Sequence, residues 1–245
     1  MYSYTARPSL LANRTIVITG AGQGIGKALA LNCAALGAKV ILLARTASKL
    51  DAVSKQIIEQ GYLSPIIIPF DLATAKEQDY MQLAKQLADQ VNQLDGLVNN
   101  AAIAADLKPF TALSIEEFQQ IMEVNVNATF ALTKYLLPLL QKAPDASIIF
   151  TSSAVGRKGR ALWSAYASSK FAIEGLMQCV AEELKDTTIR TNSVNPGATR
   201  TAMRAHVYPQ ETVTDNPLPE QIMPVYLYLL GPDSIGVNGQ ALNAQ

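Results

Sequence analysis

The chain predicts an α/β fold: one domain holding a doubly wound parallel sheet of about seven strands, with helices on both faces. Three features carry that expectation. Short β-rich apolar runs alternate with longer helical patterns along the 245 residues, which implies parallel strands joined by right-handed crossovers. The runs are nearly continuous in hydrophobicity, as strands covered on both faces must be. No repeat, low-complexity tract or interdomain linker interrupts the alternation across 1–245.

The first strand is expected at Thr15–Thr19, a run of β-branched residues. A glycine-rich turn follows and opens a helix over Gly24–Leu36. The second strand, Lys39–Leu43, leads to a helix over Thr46–Glu59. The third, Ile66–Phe70, leads to one over Lys76–Asn92. The fourth strand, Gly96–Asn99, precedes a long helical stretch, Ile115–Leu140, which Pro138 should bend or end. Ser147–Thr151, a helix over Tyr166–Leu184, and Arg190–Asn195 continue the alternation. A helix near Pro219–Leu230 and a short strand near Gln240–Ala244 complete it. Thr199–Pro219 fits neither period. Its prolines and polar residues suggest a long surface loop, and loops of that length are usually functional.

Composition narrows the function classes. The 20 Lys and Arg balance 20 Asp and Glu, so no electrostatic bias toward nucleic acid or an anionic membrane surface exists. No apolar run is long enough to span a bilayer, and the N-terminal residues lack the apolar core of a signal peptide. A cytoplasmic protein is expected. The two cysteines, Cys33 and Cys179, fall in helical patterns without metal spacing and are expected to be buried free thiols. No His/Cys/Asp cluster suggests a metal.

Two patterns carry chemistry. Tyr166 and Lys170 stand four residues apart and share one helix face. A neighbouring ammonium favours phenolate, so Lys170 should lower the Tyr166 pKa toward the operating range. Ser153 lies thirteen residues before Tyr166. Far upstream, Gly20, Gly22, Gln23, Gly24, Ile25 and Gly26 form a turn between a strand and a helix, the context in which a backbone cradle meets a dinucleotide pyrophosphate. At the end of the second strand, where an NAD site would place a carboxylate for the ribose hydroxyl, stand Ala44 and Arg45. A guanidinium there can pair with a 2′-phosphate, favouring NADP over NAD. Asp71, beside Leu72 at the end of the third strand, either meets the adenine edge or caps the next helix.

Together these residues resemble the short-chain dehydrogenase/reductase family. Thr19–Gly26 matches its T-G-x-x-x-G-x-G turn. Asn99-Asn100-Ala101-Ala102 matches N-N-A-G with alanine in the last place. Asn125, Ser153, Tyr166 and Lys170 match the catalytic asparagine, serine, tyrosine and lysine, and Pro196-Gly197 with Thr199 matches the turn after the sixth strand. Stretches from Asn125, Val155 and Thr199 look more narrowly like the bacterial YciK-type oxidoreductases. The resemblance implies a Rossmann-like fold and NADP(H) bound by the glycine turn, Arg45, Asp71, Leu72, Asn100, Ala101, Pro196, Gly197, Thr199, Tyr166 and Lys170. It implies Tyr166 as acid/base, Lys170 lowering its pKa and holding ribose, Ser153 stabilising the carbonyl oxygen, and Asn125 holding a water. It also implies a homotetramer or homodimer formed through the Ile115–Leu140 and Tyr166–Leu184 helices.

The expected substrate pocket comprises Ile103, Val155, Arg157, Trp163 and Met203. Trp163 either lines it or is a core or interface aromatic. Arg157, Lys158 and Arg160 form a cationic group that meets an anionic substrate or carrier, or is simply a solvated loop. The chain thus reads as an oxidoreductase interconverting a small-molecule carbonyl and alcohol. The alternatives are a 3-oxoacyl-carrier reductase and, from another class, a cofactor-sensing regulator.

Overall fold

The structure, a computed structural model, describes residues 1–245 except the side chain of Val213. Seven strands form one sheet: β1 (Thr15–Thr19), β2 (Lys39–Ala44), β3 (Ile66–Pro69), β4 (Gly96–Asn99), β5 (Ala146–Thr151), β6 (Ile189–Asn195) and β7 (Ala241–Asn243). Their order is β3-β2-β1-β4-β5-β6-β7, and every pairing is parallel. The chain therefore builds outward from β1 to β3, then restarts on the other side of β1 with β4. Connections leaving β1 and β4 diverge to opposite faces, which opens a crevice at the carboxyl ends of these two strands.

Helices α1 (Gly24–Ala35), α2 (Ala47–Glu59) and α8 (Met223–Leu230) cover one face, where Leu29, Leu50, Ile57, Tyr226 and Leu229 bury against Ile16, Ile18 and Leu42. Helices α3 (Glu77–Ala88), α5 (Ala128–Leu140) and α6 (Ser164–Glu183) cover the other, where Leu87, Leu132, Leu136, Ile173 and Met177 meet Val17, Ile41, Ile148 and Phe150. Alternate residues of each strand feed opposite cores, which explains why the strands read as unbroken apolar runs. The apolar α8 sequence, Met-Pro-Val-Tyr-Leu-Tyr-Leu-Leu, belongs to a helix buried nearly all round.

Three expectations need correction. The stretch read as one helix over Ile115–Leu140 is α4 (Ile115–Met122), a π-helical turn (Glu123–Asn127) and α5. Thr129 Oγ1 donates to the Asn125 carbonyl within the turn (2.9 Å), and inside α5 Thr133 Oγ1 donates to that of Thr129 (2.8 Å). Pro138 is accommodated inside α5, near its end. The stretch expected as a loop, Thr199–Pro219, contains a short helix, α7 (Ala202–Val207), whose N-terminus is capped by Thr201 Oγ1 accepting from Arg204 N at 3.1 Å. Cys33 is buried as expected, but Cys179 lies on the outer face of α6 and is exposed.

Arg190 on β6 pins the sheet to the segment after α8. Its Nε and Nη2 donate to Asp145 Oδ1 at 3.1 and 2.8 Å, and Nη1 donates to the Leu229 carbonyl at 3.0 Å and to Ser234 Oγ. Removing one partner of such a buried array strands the others. Arg190→Met should therefore cost about 3 kcal/mol or more of stability, read as a lowered urea midpoint with an unchanged slope.

Candidate active site

The crevice is held open and in register by Thr19. Its hydroxyl, at the end of β1, donates to the Val98 carbonyl (3.2 Å) and accepts from the Asn100 and Ala101 amides, both at 2.9 Å. Asn100 Nδ2 returns a bond to the Thr19 carbonyl at 2.9 Å. These bonds tie the ends of β1 and β4 together where their chains part. A cleft of about 600 Å³ opens there, large enough for a small-molecule site.

One half of the cleft fits a dinucleotide. Gly20, Gly22, Gln23, Gly24 and Ile25 line it, followed by Ala44, Arg45, Asp71 and Leu72, then Asn100 and Ala101, and finally Pro196, Gly197 and Thr199. Gly26 does not line it. A Cβ at Gly26 would lie 2.3 Å from the Gly20 carbonyl oxygen, so this glycine lets α1 pack against the returning turn. Gly20 has φ +67°, a conformation that disfavours other residues. Helix α1 starts at Gly24 with no side-chain cap and no acidic residue in its first turn, leaving amide donors and positive potential for a phosphate. Asp71 Oδ1 accepts from Ala73 N at 3.0 Å. It thus caps its own turn, while α3 begins after Lys76.

Ala102, where the family has glycine, also lines the cleft. It is absent from the left-handed region, so its methyl group brings no backbone strain.

Lys49, which motif spacing did not single out, joins Arg45 at this end. It lines the cleft from the first turn of α2, and its Nζ donates to Gln23 Oε1 at 2.5 Å. A Cβ on Gly22 would approach Lys49 Cβ to 2.9 Å, so the glycine turn and α2 are in close contact. The available signal was position: Lys49 stands in the first turn of the helix that opens directly after Arg45 and the strand end.

Ser153, Tyr166 and Lys170 converge at the other end of the cleft. Ser153 leaves β5 as the cap of a tight turn, and its Oγ accepts from Val155 N at 3.4 Å. Neighbouring Ser152 is buried and its hydroxyl finds no partner, which separates the two serines. Lys170 is buried on α6. Its Nζ donates to the Thr151 carbonyl at 2.7 Å and lies 5.5 Å from the centre of the Tyr166 ring.

The expected lowering of the Tyr166 pKa is not what this environment produces. Burial pushes the phenol up to about 12, and a hydrogen bond with Ser153 pulls only partly in the other direction. Desolvation of the phenolate outweighs the help it receives. Burial also lowers Lys170 to about 8, against the opposing charge of Glu174.

Glu174, one turn beyond Lys170, explains a second correction. Arg157, expected in the substrate pocket, turns away from it. Its Nε donates to Glu174 Oε1 (3.0 Å), Nη1 to Asn243 Oδ1 (2.8 Å) and Nη2 to the Leu242 carbonyl (3.1 Å). Glu174 Oε2 accepts from Ser193 Oγ at 2.6 Å. A buried carboxylate requires such partners, and meeting that requirement withdraws Arg157 from the cleft while binding α6 to β6 and β7.

Asn125 is also absent from the cleft lining. Its Oδ1 accepts from Ile103 N (2.8 Å), and its Nδ2 donates to the Ile103 carbonyl (3.0 Å) and Ser169 Oγ (3.0 Å). One amide proton braces the chain after β4 and the other reaches Ser169 on α6, which leaves the second lone pair of Oδ1 as the side chain's open hydrogen-bonding position. Asn127 is exposed and donates to Glu123.

Ile103, Val155, Trp163 and Met203 line the remaining space, together with Arg160, Val207 and Tyr208. The Trp163 ring centre lies 5.4 Å from that of Tyr166 and 6.1 Å from that of Tyr208. Trp163 is therefore a wall of the cleft. His206 on α7 faces Asp106, with Nε2 3.2 Å from Oδ1. Among the described residues no cluster could hold a metal, and no helix is long and apolar enough to cross a membrane.

Known proteins resemble this chain in sequence and fold. Residues 14–212 match the family profile described as short chain dehydrogenase. The Escherichia coli oxidoreductase YciK is 45% identical over 242 residues, covering 99% of this chain and 96% of that protein. A short chain dehydrogenase structure from Pseudomonas syringae is 56% identical, with a TM-score of 0.99 and full coverage of both chains. One from Escherichia coli CFT073, complexed with NADPH, is 46% identical, with a TM-score of 0.96 over 98% of this chain and 99% of that one.

The Thr19 clamp generates a direct expectation. Thr19→Val keeps the shape but strands the Asn100 and Ala101 amides, costing about 1–3 kcal/mol. NADPH affinity, read by titration of cofactor fluorescence, should fall about tenfold or more. Unchanged affinity would mean that the clamp does not position the cleft.

Proposed function

This chain belongs to the short-chain dehydrogenase family, and from that premise we propose that it is an NADP-dependent oxidoreductase interconverting a carbonyl and an alcohol. The observation that carries the reading is the convergence of Ser153, Tyr166 and Lys170 in a cleft continuous with a dinucleotide cradle. When bound, the reduced nicotinamide would supply the hydride. Tyr166 gives its proton to the carbonyl oxygen in reduction and removes it in oxidation. A phenol held near 12 stays protonated at neutral pH, the form needed for the reductive direction. Ser153 hydrogen-bonds to the developing oxyanion. Lys170 holds the ribose and stabilises the transient phenolate as the proton leaves.

NADP preference rests on Arg45 and Lys49. Both line the adenosine end of the cleft, and two cations suit a 2′-phosphate. Replacing both with alanine should reduce kcat/KM with NADPH about tenfold more than with NADH. Equal losses would remove the 2′-phosphate assignment.

The segment over 199–219 is the element we assign to substrate selection within a single domain spanning 1–245. The exposed aromatics Phe118, Phe130 and Phe171 on α4, α5 and α6 support self-association through these helices as a homodimer or homotetramer. Cytoplasmic location is part of the same reading. The carrier-reductase alternative loses one of its three cations, because Arg157 is committed to Glu174. A non-catalytic sensor has no use for the Ser153–Tyr166–Lys170 constellation.

The primary test is NADPH consumption against a panel of small carbonyl compounds. Tyr166→Phe should lower turnover about 10²–10⁴-fold while retaining NADPH binding; undiminished turnover would refute Tyr166 as the acid/base. A pH profile adds a signed expectation. Lys170 is charged below about 8 and loses its proton above that value. Glu174→Gln removes a carboxylate that raises the Lys170 pKa, so the alkaline fall in activity should begin at lower pH. An unmoved or upward-shifted limb would separate Glu174 from the reaction.

A further inference from the structure

We infer that the substrate taken by this site carries an anionic oxygen group, held by Arg160, on an apolar body packed against Trp163 and Tyr208. This rests on the assignment of the cleft as the reaction site made above, and it adds what the cleft selects.

The three cations that follow Ser153 have three different fates. Arg157 is turned inward to Glu174, Asn243 and the Leu242 carbonyl. Lys158 is exposed and does not line the cleft, whereas Arg160 does. No acidic group lies within ion-pair distance of Arg160 among the described residues. Every other cation at this end already has a partner. Arg204 meets Glu211 through Nε at 2.6 Å and Nη2 at 2.5 Å, and its guanidinium lies 3.9 Å from the Tyr208 ring centre. Lys170 is buried on the Thr151 carbonyl.

The carboxylates are distributed to match. Asp71, at the adenosine end, is the only one lining the cleft among the described residues. An anion entering the substrate end therefore meets a free guanidinium and no competing carboxylate, the arrangement in which an arginine fork recognises an oxyanion.

Local backbone geometry places Arg160 beside the aromatic wall. The Arg160 carbonyl accepts from Trp163 N at 3.2 Å, so the two residues close one turn. Within that turn Leu162 adopts φ +73°, in the left-handed region. A leucine holds this conformation only where the surroundings impose it, and such residues gather at binding sites. Trp163, Tyr208, Met203 and Val207 then offer an apolar surface next to the cation.

Trp163 is the only tryptophan in the chain, so its fluorescence reports this site without turnover. The probes are benzoate and its neutral isostere benzamide, neither of which the proposed reaction can oxidise, each titrated into the NADP⁺-loaded protein. Benzoate should quench Trp163 saturably with a Kd about tenfold or more below that of benzamide. The advantage should shrink as ionic strength rises and collapse in Arg160→Gln. Equal affinities, no response to either compound, or an advantage that survives Arg160→Gln would overturn the proposal. If the variant misfolds, the salt series on the unmodified protein still decides between these outcomes: a benzoate advantage indifferent to salt would overturn the proposal as well. Because the readout is binding, it separates from the redox reading: turnover indifferent to Tyr166→Phe would sink that reading and leave the benzoate preference standing.

Discussion

A single hydroxyl, that of Thr19, bears the join between the two halves of this fold. The sheet is continuous through the β1–β4 pairing, yet the chain leaves these neighbouring strands toward opposite faces. Without cross-bonding, the diverging backbones would leave amides unsatisfied at the point where the cleft must be sharply defined. Thr19 donates to one carbonyl and accepts from two amides. The glycine turn starts at the next residue, and Ala101 and Ala102 form the opposite wall. The glycine turn and the chain after β4 are thus fixed to one another at the mouth of the cleft.

At the catalytic end of the cleft, burial is opposed by a hydrogen bond from Ser153 at Tyr166 and by the charge of Glu174 at Lys170, and burial prevails at both. The phenol of Tyr166 is held in its protonated form, while the ammonium of Lys170 is pushed toward neutrality and restrained by Glu174. The restraint has structural consequences. A buried carboxylate must be neutralised and hydrogen-bonded, and Arg157 and Ser193 satisfy it. Arg157 in turn reaches the last strand. Gln245 makes an additional tie, donating from Nε2 to the Pro196 carbonyl at 2.7 Å and the Ala198 carbonyl at 2.9 Å. The end of the sheet thus braces the loop that lines the cofactor side of the cleft.

Much of this was legible beforehand because it depends on periodicity and spacing. Apolar runs located six of the seven strands, a weaker signal near Gln240–Ala244 the last, and ordered motifs brought Ser153, Tyr166, Lys170 and the glycine turn to one cleft. Features governed by side-chain partnering were not legible. Arg157 looked like a pocket cation until Glu174, seventeen residues later, supplied its partner. At the π-helical turn the Asn125 carbonyl accepts from the Thr129 hydroxyl, a side-chain bond that helical periodicity does not record. Lys49 was hidden because its importance comes from contact with Gln23 across two elements. The opposing pKa shifts reflect depth of burial, which the four-residue spacing of Tyr166 and Lys170 does not encode.

The most direct test of the account is a crystal structure of this chain with NADPH bound. The 2′-phosphate should lie between Arg45 and Lys49, the pyrophosphate over the start of α1, and the nicotinamide beside Tyr166 and Lys170. A cofactor bound with its 2′-phosphate away from both cations, or with its nicotinamide remote from Tyr166, would contradict the assignment of the cleft and the chemistry built on it.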